Sequence, residues 1–243
     1  MKKVLIIGAK GDLAKAIASE YAKNGYGLYL AGRNINSIIN FKDYLTSSYN
    51  IDVNLKEFDL VNFETHFDFF NSLNPRPEGT IMVSGYMCDQ KKCENNFNES
   101  FNTINVNYLG AVSFLNIVAN HYEKDEKGFI VGISSVAGER GRKANYIYGS
   151  SKAGFTTYLS GLRNRLYKSN INVLTVKPGY IYTKMTEKLK LPSLLTAKPD
   201  EVAKLIFNSQ KKRKDVIYIK SVWKLIMLLI RIIPEWKFKK MDL

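Results

Sequence analysis

Tyr148 and Lys152 stand four residues apart in a stretch whose apolar spacing reads as a helix, so both side chains share one face. A phenol has a pKa of about 10 and a neighbouring ammonium favours its phenolate. A tyrosine so placed can give a proton to a carbonyl oxygen as hydride arrives, or take it back in reverse. With 15 tyrosines in 243 residues the spacing is weak evidence by itself, and Tyr180 and Lys184 repeat it. The two pairs differ in context. Ser135 lies thirteen residues before Tyr148, at the end of the apolar run Ile130-Val131-Gly132-Ile133-Ser134-Ser135, whereas position 167, thirteen before Tyr180, is another tyrosine.

A second chemical feature is the loop Gly8-Ala9-Lys10-Gly11-Asp12-Leu13-Ala14, between the apolar run Val4–Ile7 and a helical pattern over Leu13–Lys23. Small residues let a backbone approach a pyrophosphate, and a helix N-terminus offers free N–H groups and partial positive charge. Gly8, Lys10, Gly11, Asp12 and Leu13 are therefore candidates to hold a dinucleotide. The spacing departs from GxGxxG, and an ordinary tight turn between strand and helix is the competing reading. The next apolar run ends in Ala31-Gly32-Arg33-Asn34. An acidic residue there would take both ribose hydroxyls, while arginine suits a 2′-phosphate. Arg33 with Lys10 thus points to NADP(H), with NAD(H) as the alternative if Arg33 only stacks on the adenine. Asp59 and Leu60 are placed for the adenine edge, and Gly85 where backbone passes close to the cofactor.

Positioning these groups requires a particular order of elements. Strand patterns at Val4–Ile7, Gly27–Ala31, Val53–Phe58, Thr80–Ser84, Phe129–Ser134, Val173–Val176 and Val216–Ile219 alternate with helical patterns. The helices are expected at Leu13–Lys23, Ile35–Tyr49, Phe63–Leu73, Asn98–Tyr122, Tyr146–Tyr167 and Pro199–Ser209. Strands apolar on both faces, alternating with helices, predict an α/β fold: a doubly wound, Rossmann-type parallel sheet of about seven strands with helices on both faces. Residues 1–220 read as one catalytic domain and 221–243 as an amphipathic, basic C-terminal tail. The composition, 45% apolar and 24% charged, is that of a globular chain. Cys88 and Cys93 are too few for a disulfide framework, and two histidines make no convincing metal site, so no metal is expected. The Met1–Gly8 start is too short in its apolar run for a signal peptide and reads as a first strand.

Taken together, these segments resemble the short-chain dehydrogenase/reductase family over about residues 3 to 210. Its YxxxK corresponds to Tyr148–Lys152, its ISSVAG-like segment to Ile133–Gly138 with Ser135, its VN–x–x–G segment to Val106–Gly110 with Asn107, and its PG…T segment to Pro178-Gly179 and Thr183. The resemblance implies that Tyr148 is the general acid/base and that Ser135 polarises the substrate oxygen. It implies that Lys152 binds the nicotinamide ribose and lowers the Tyr148 pKa, and that Asn107 holds a relay water by its backbone carbonyl. Tyr148, Lys152, Pro178, Gly179, Ile181 and Thr183 join the cofactor set. The family's first loop is commonly TGxxxGxG, and here Asp12 and Ala14 replace two of its glycines.

The variant loop, Gly85–Gln90 and the tail are similar to the branch whose members reduce a decaprenyl-phosphate-linked 2-keto pentose or act in bacterial surface-polysaccharide synthesis. This implies a keto-sugar substrate, polyprenyl-linked in that branch. Reduction of an acyl or sphingoid-type lipid ketone is the alternative, and a nucleotide-binding scaffold without turnover the non-enzyme one. The segment from Thr183 to Ala197, with Leu189, Leu191, Leu194 and Leu195, is expected to form a partly apolar lid. The helices at 98–122 and 146–167 are those that pair relatives into a homodimer or homotetramer.

The chain carries a formal net charge of +14, and residues 201–243 hold 11 Lys+Arg against 4 Asp+Glu, half of that excess. The run Trp223–Pro234 is too short and too charged to span a bilayer. With Trp236, Phe238 and the lysines beside it, it reads as an in-plane anchor on an anionic leaflet. A helix buried in a dimer interface or laid over the substrate cleft is the competing reading. No nucleic-acid partner is expected. The compartment expected is the cytoplasm, with peripheral contact at the inner face of the cytoplasmic membrane.

Overall fold

The computed structural model describes residues 1–184, 186 and 191–242. Nine strands occur: β1 (Lys3–Ile7), β2 (Gly27–Gly32), β3 (Val53–Glu57), β4 (Gly79–Met82), β5 (Phe129–Ile133), β6 (Asn172–Pro178), β7 (Tyr180–Ile181), β8 (Thr196–Ala197) and β9 (Val216–Ile219). Seven of them form one parallel sheet in the order β3-β2-β1-β4-β5-β6-β9, and β7 pairs with β8 apart from it. The helices are α1 (Asp12–Lys23), α2 (Ile39–Tyr49), α3 (His66–Asn71), α4 (Gln90–Asn95), α5 (Phe97–Ile104), α6 (Gly110–Asp125), α7 (Tyr146–Leu166), α8 (Pro199–Lys211), α9 (Val222–Ile232) and α10 (Glu235–Phe238).

Side-chain alternation along each strand divides the interior into two layers. Val4 and Ile6 of β1 join the layer of α1, α2 and α8, where the Tyr21 and Phe207 rings meet edge-on at 5.0 Å. Leu5 and Ile7 face the opposite layer, packed by Phe114, Leu115 and Val118 of α6 and by Phe155, Leu159 and Leu162 of α7. A strand buried on both sides must be apolar throughout, which is why periodicity alone identified the sheet. The chain winds outward from β1 to β3, then returns to β4 and winds the other way. The carboxyl ends of β1 and β4 therefore diverge and leave a crevice between their following loops.

Several elements differ from expectation. The long helix expected over 98–122 is interrupted: between α5 and α6, residues Asn105–Leu109 form a wider π turn, and α6 continues to Asp125. Gly110 ends that turn because an added Cβ would fall 2.3 Å from the Leu60 carbonyl oxygen. Ile35–Ile38 and Phe63–Thr65 are 3₁₀ turns leading into α2 and α3. The polar stretch before residue 97 carries α4, capped by Asp89 accepting from the Lys92 N–H at 3.2 Å. Among the described residues, no helix is long and apolar enough to cross a membrane.

The tail lies against the sheet domain. Trp223, only 4% exposed, and Met227 pack with Val136, Tyr180, Leu195 and Tyr218. The Trp223 indole N–H donates to the Leu195 carbonyl at 2.9 Å, and the Gly179 position would place a Cβ 2.1 Å from its ring. Arg140 donates to the carbonyls of Ile230 and Ile233, both at 2.6 Å, and pairs with Glu235 at 2.9 Å. Buried Glu139 accepts from Lys177 at 2.9 Å and from the Tyr218 hydroxyl, and its other oxygen faces Arg231 at 3.7 Å. Trp223 was expected among the membrane-facing aromatics. It is instead an inward wedge, and Trp236, 66% exposed, is the tryptophan that α9 and α10 present outward.

Candidate active site

At the carboxyl end of β5 the chain leaves Ile133 through Ser134 and Ser135 into a 3₁₀ turn over Val136–Gly138, which the Ser135 hydroxyl caps by accepting from the Ala137 N–H at 3.1 Å. This turn interlocks with α7 through two glycines. A Cβ on Gly138 would lie 2.7 Å from the Ala153 nitrogen, and one on Gly149 would lie 2.8 Å from the Ala137 oxygen. The Ser134 hydroxyl fastens the same contact, donating to the Lys152 carbonyl at 3.0 Å and meeting the Thr156 hydroxyl at 2.6 Å. Ser135, Tyr148 and Lys152 are thereby gathered from two distant segments onto one wall.

Lys152 is 3% exposed, and its ammonium donates to the Ile133 carbonyl at 3.1 Å. Burial drives its pKa down to about 8. Tyr148 is half-buried, and burial pushes its phenol up to about 12, while the Ser135 hydroxyl beside it pulls the other way. The ammonium sits 5.9 Å from the centre of the Tyr148 ring. Desolvation is the largest cause of the upward Tyr148 shift, so the phenol is protonated at neutral pH.

Asn107 sits in the π turn with 1% exposure, behind the loop that follows β4. Its carboxamide accepts from the Tyr86 N–H at 2.8 Å, and donates to the Tyr86 carbonyl at 2.7 Å and to the Ser151 hydroxyl at 3.0 Å. Gly85, just before, would direct a Cβ to within 3.7 Å of the Lys152 nitrogen and 3.8 Å of the Asn107 oxygen. Both are ordinary contact distances, which places Gly85 directly over the two groups.

Ser134, Ser135, Tyr148, Lys152 and Gly85 open onto one cleft of about 1050 Å³, and Asn107 stands behind it. The loop from Gly8 to Leu13 forms its floor at one end. Gly8 has φ +85°, and a Cβ on it would come within 2.9 Å of the Ser84 backbone, so only glycine lets β1 turn past the end of β4. No side chain caps the start of α1, which leaves its first amides for an anion. Exposed Lys10 and Arg33 rim this end. Asp59, accepting from the Val61 N–H at 3.2 Å, and Leu60 form its side. Pro178, Gly179, Ile181 and Thr183 line the opposite wall. Asp12 behaves differently from a free ligand: its carboxylate accepts from the Lys184 N–H at 2.8 Å, tying the floor to that wall. Of the expected lid leucines, Leu189 lies outside the described residues, while Leu194 is exposed and Leu195 half-buried.

The sequence pattern of the short chain dehydrogenases matches residues 2–193. The chain belongs to the short-chain dehydrogenase family. As a member it is an oxidoreductase. An uncharacterised oxidoreductase of Mycobacterium tuberculosis is 29% identical over 241 residues, covering 98% of this chain and 96% of the relative. A 3-oxoacyl-(acyl-carrier-protein) reductase of Bos taurus is 25% identical over 193 residues, 77% of this chain and 79% of that one. The fold is shared with a short-chain dehydrogenase from Sphingobium yanoikuyae solved in complex with NADPH, at TM-score 0.82 and 20% identity over 97% of both chains.

Within this short-chain dehydrogenase the structure adds residues that sequence reasoning passed over. Glu57 accepts from the N–H groups of Asn34 at 2.7 Å and Ile35 at 3.1 Å, which shapes the Arg33 turn and holds the Glu57 carboxyl below its usual range. Ser151 fixes Asn107, and Trp223 lines the cleft from the far C-terminal segment. An acidic residue at a strand end is a weak signal, whereas Trp223 fits the competing reading of the tail as a helix laid over the substrate cleft. Asn107→Ala removes the buried carboxamide that pairs both the N–H and the carbonyl of Tyr86. It should cost about 1–3 kcal/mol in urea unfolding, and a variant as stable as the parent would show that this carboxamide does not hold the loop.

Proposed function

We propose that this protein is an NADP(H)-dependent ketoreductase whose substrate is a keto-sugar, polyprenyl-linked, of bacterial surface-glycan synthesis. The observation that carries the reading is the convergence of Ser135, Tyr148 and Lys152 on the cleft whose other end is the uncapped start of α1. That floor, with Lys10 and Arg33 at its rim, fits the pyrophosphate and 2′-phosphate of the dinucleotide. The NADPH bound by the Sphingobium relative supports this choice, with NAD(H) as the lesser partner. Gly8, Gly11, Asp12 and Leu13 would offer their main chain, Asp59 and Leu60 the adenine side, and Gly85, Pro178, Gly179, Ile181 and Thr183 the nicotinamide side. When bound, the reduced dinucleotide supplies hydride to the carbonyl carbon.

The protein's own groups manage the proton. Tyr148, protonated at neutral pH, donates to the carbonyl oxygen, and the Ser135 hydroxyl donates a second hydrogen bond to the same oxygen. The phenolate left behind is stabilised by the Lys152 ammonium, which is charged below a pH of about 8 and neutral above it. The π turn at Asn107 shifts main-chain bonding by one residue and leaves a carbonyl outside the helical ladder, suited to hold a water that refills Tyr148. Asn107 itself positions this turn against Tyr86 and Ser151.

The finer substrate assignment rests on the tail. Trp223 of α9 lines the cleft, while Leu225, Leu228, Leu229 and Ile232 of the same helix, with Trp236 beyond it, are exposed. Lys224, Lys237, Lys239 and Lys240 accompany them, so the occupant suited to this face has anionic headgroups above an apolar interior. A substrate anchored in that membrane would meet the cleft beside it. The 3-oxoacyl reductase of Bos taurus favours a second reading, reduction of an acyl ketone.

Oxidation of NADPH against a keto-pentose, its polyprenyl-phosphate-linked form and a 3-oxoacyl thioester tests the assignment. The linked sugar should turn over fastest, and Tyr148→Phe should lose at least about 100-fold in kcat while still binding NADPH. Turnover of the thioester alone would overturn the sugar reading, and an active Tyr148→Phe the mechanism. Arg33→Asp should lower kcat/KM for NADPH by about 10- to 100-fold and leave NADH less affected. An unchanged ratio removes Arg33 from the phosphate. In flotation with phosphatidylglycerol vesicles the full chain should rise, and the exposed-face pair Leu225→Glu with Leu229→Glu should remain at the bottom. A parent chain that never floats refutes the membrane contact.

A further inference from the structure

Among the described residues, Arg142 is a cation of the substrate half of the cleft without an ion-pair partner. Arg142 lies between the Val136–Gly138 turn and α7, six residues before Tyr148, and lines the cleft with Ala144, Asn145 and Gln90. Its Nε is buried without a hydrogen-bond partner, and so is the Oδ1 of Asn145. Its neighbours in the chain are all engaged elsewhere: Glu139 with Lys177 and Arg231, Arg140 with Glu235 and the end of α9, Lys143 with Asp242 at 2.9 Å. The cleft does contain three carboxylates, each bound to main-chain amides: Asp12 to Lys184, Asp59 to Val61 and Asp89 to Lys92. Among the described residues, none forms an ion pair with Arg142. A guanidinium keeps its charge when half-desolvated, and its planar fork matches carboxylate and phosphate oxygens two at a time. With no ion pair on its fork among the described residues, Arg142 is left to meet an oxyanion in the cleft it lines, and Asn145 beside it a hydroxyl.

We propose that Arg142 reads an oxyanion, phosphate or carboxylate, carried by the ketone substrate, and that Asn145 takes a hydroxyl of the same molecule. This rests on the ketoreductase reading and adds to it the residues that read the substrate's oxyanion and hydroxyl. Arg142 is a binding residue on the side of the carbonyl away from the dinucleotide phosphates, which Lys10 and Arg33 serve.

Calorimetric titration of the full chain at saturating NADP⁺ tests this with four probes: farnesol, farnesoate, farnesyl phosphate and inorganic phosphate. At least one charged farnesyl ligand should bind about 10- to 100-fold more tightly than farnesol. Whichever of the two binds better names the oxyanion. Arg142→Gln should abolish that difference without changing NADP⁺ affinity, which also reports that the variant is folded, and Arg142→Lys should keep part of it. Equal binding of all three farnesyl ligands overturns the proposal, as does discrimination that survives in Arg142→Gln. Inorganic phosphate binding as tightly as farnesyl phosphate, and lost in the variant, would assign a free-anion site and overturn the substrate-borne reading. If discrimination holds but no keto-sugar is reduced, the proposed function falls and this inference stands. Reduction without discrimination gives the reverse.

Discussion

Burying the Lys152 ammonium with one main-chain carbonyl as its partner disfavours its charged form by about 3 kcal/mol at neutral pH, the gap between a pKa of about 8 and the ordinary 10.5. The folded pKa lies below the unfolded one. This cost is therefore fully present below a pH of about 8 and disappears as pH rises toward 10.5. Such a residue persists only where surrounding contacts fix it, and here they are main-chain contacts: the glycine interlock at Gly138 and Gly149 and the Ser134 clamp on the Lys152 carbonyl. Those contacts set where Ser135 and Tyr148 stand. One buried cation thus links the stability of the β5–α7 junction to the chemistry of the cleft wall, and a weakly held proton is the return on its unfavourable burial.

What could be read from the residues was whatever a local pattern encodes. Strands covered on both faces, such as β1, β2 and β5, are apolar throughout, and the edge strands β3 and β9 keep a shorter apolar pattern, so all seven sheet strands were legible, as was their alternation with helices. Gly8 was legible because a positive φ beside a neighbouring strand admits nothing else. The π turn was not, since Asn105–Leu109 keeps the helical apolar spacing and the break comes from packing Gly110 on the Leu60 carbonyl. The burial of the phenol was not legible for a similar reason. Spacing places an ammonium near a ring, yet desolvation depends on everything stacked above it, and that is a property of the fold.

The tail makes the same point at longer range. Its periodicity announces an amphipathic helix with apolar residues nearly all round, which is consistent with a membrane surface, a partner subunit or a domain face. Contacts distant in sequence divide those residues. Gly179 leaves room for the Trp223 ring, Arg140 takes up the terminal carbonyls of α9, and Glu139 faces Arg231. One side of α9 becomes a wall of the cleft, and the other is left outward with Leu225, Leu228, Leu229 and Ile232. A helix that serves both surfaces makes the cleft mouth and the outward face neighbours by construction.

The same division explains the net charge of +14. Inside the cleft the carboxylates of Asp12, Asp59 and Asp89 are bound to amides, while Lys10, Arg33, Arg142 and Lys152 keep the cavity positive along its length. Anions are thereby favoured at both ends, and a neutral group is best placed in the middle, where Tyr148 stands. Outside, beyond the run Lys211-Lys212-Arg213-Lys214, the basic residues of the last 43 are interleaved with exposed leucine and isoleucine. A polyanion such as nucleic acid would meet the lysines and leave the leucines in water. The membrane contact we propose fits both, because an anionic bilayer has its charge at the surface and its apolar phase only a few ångströms below.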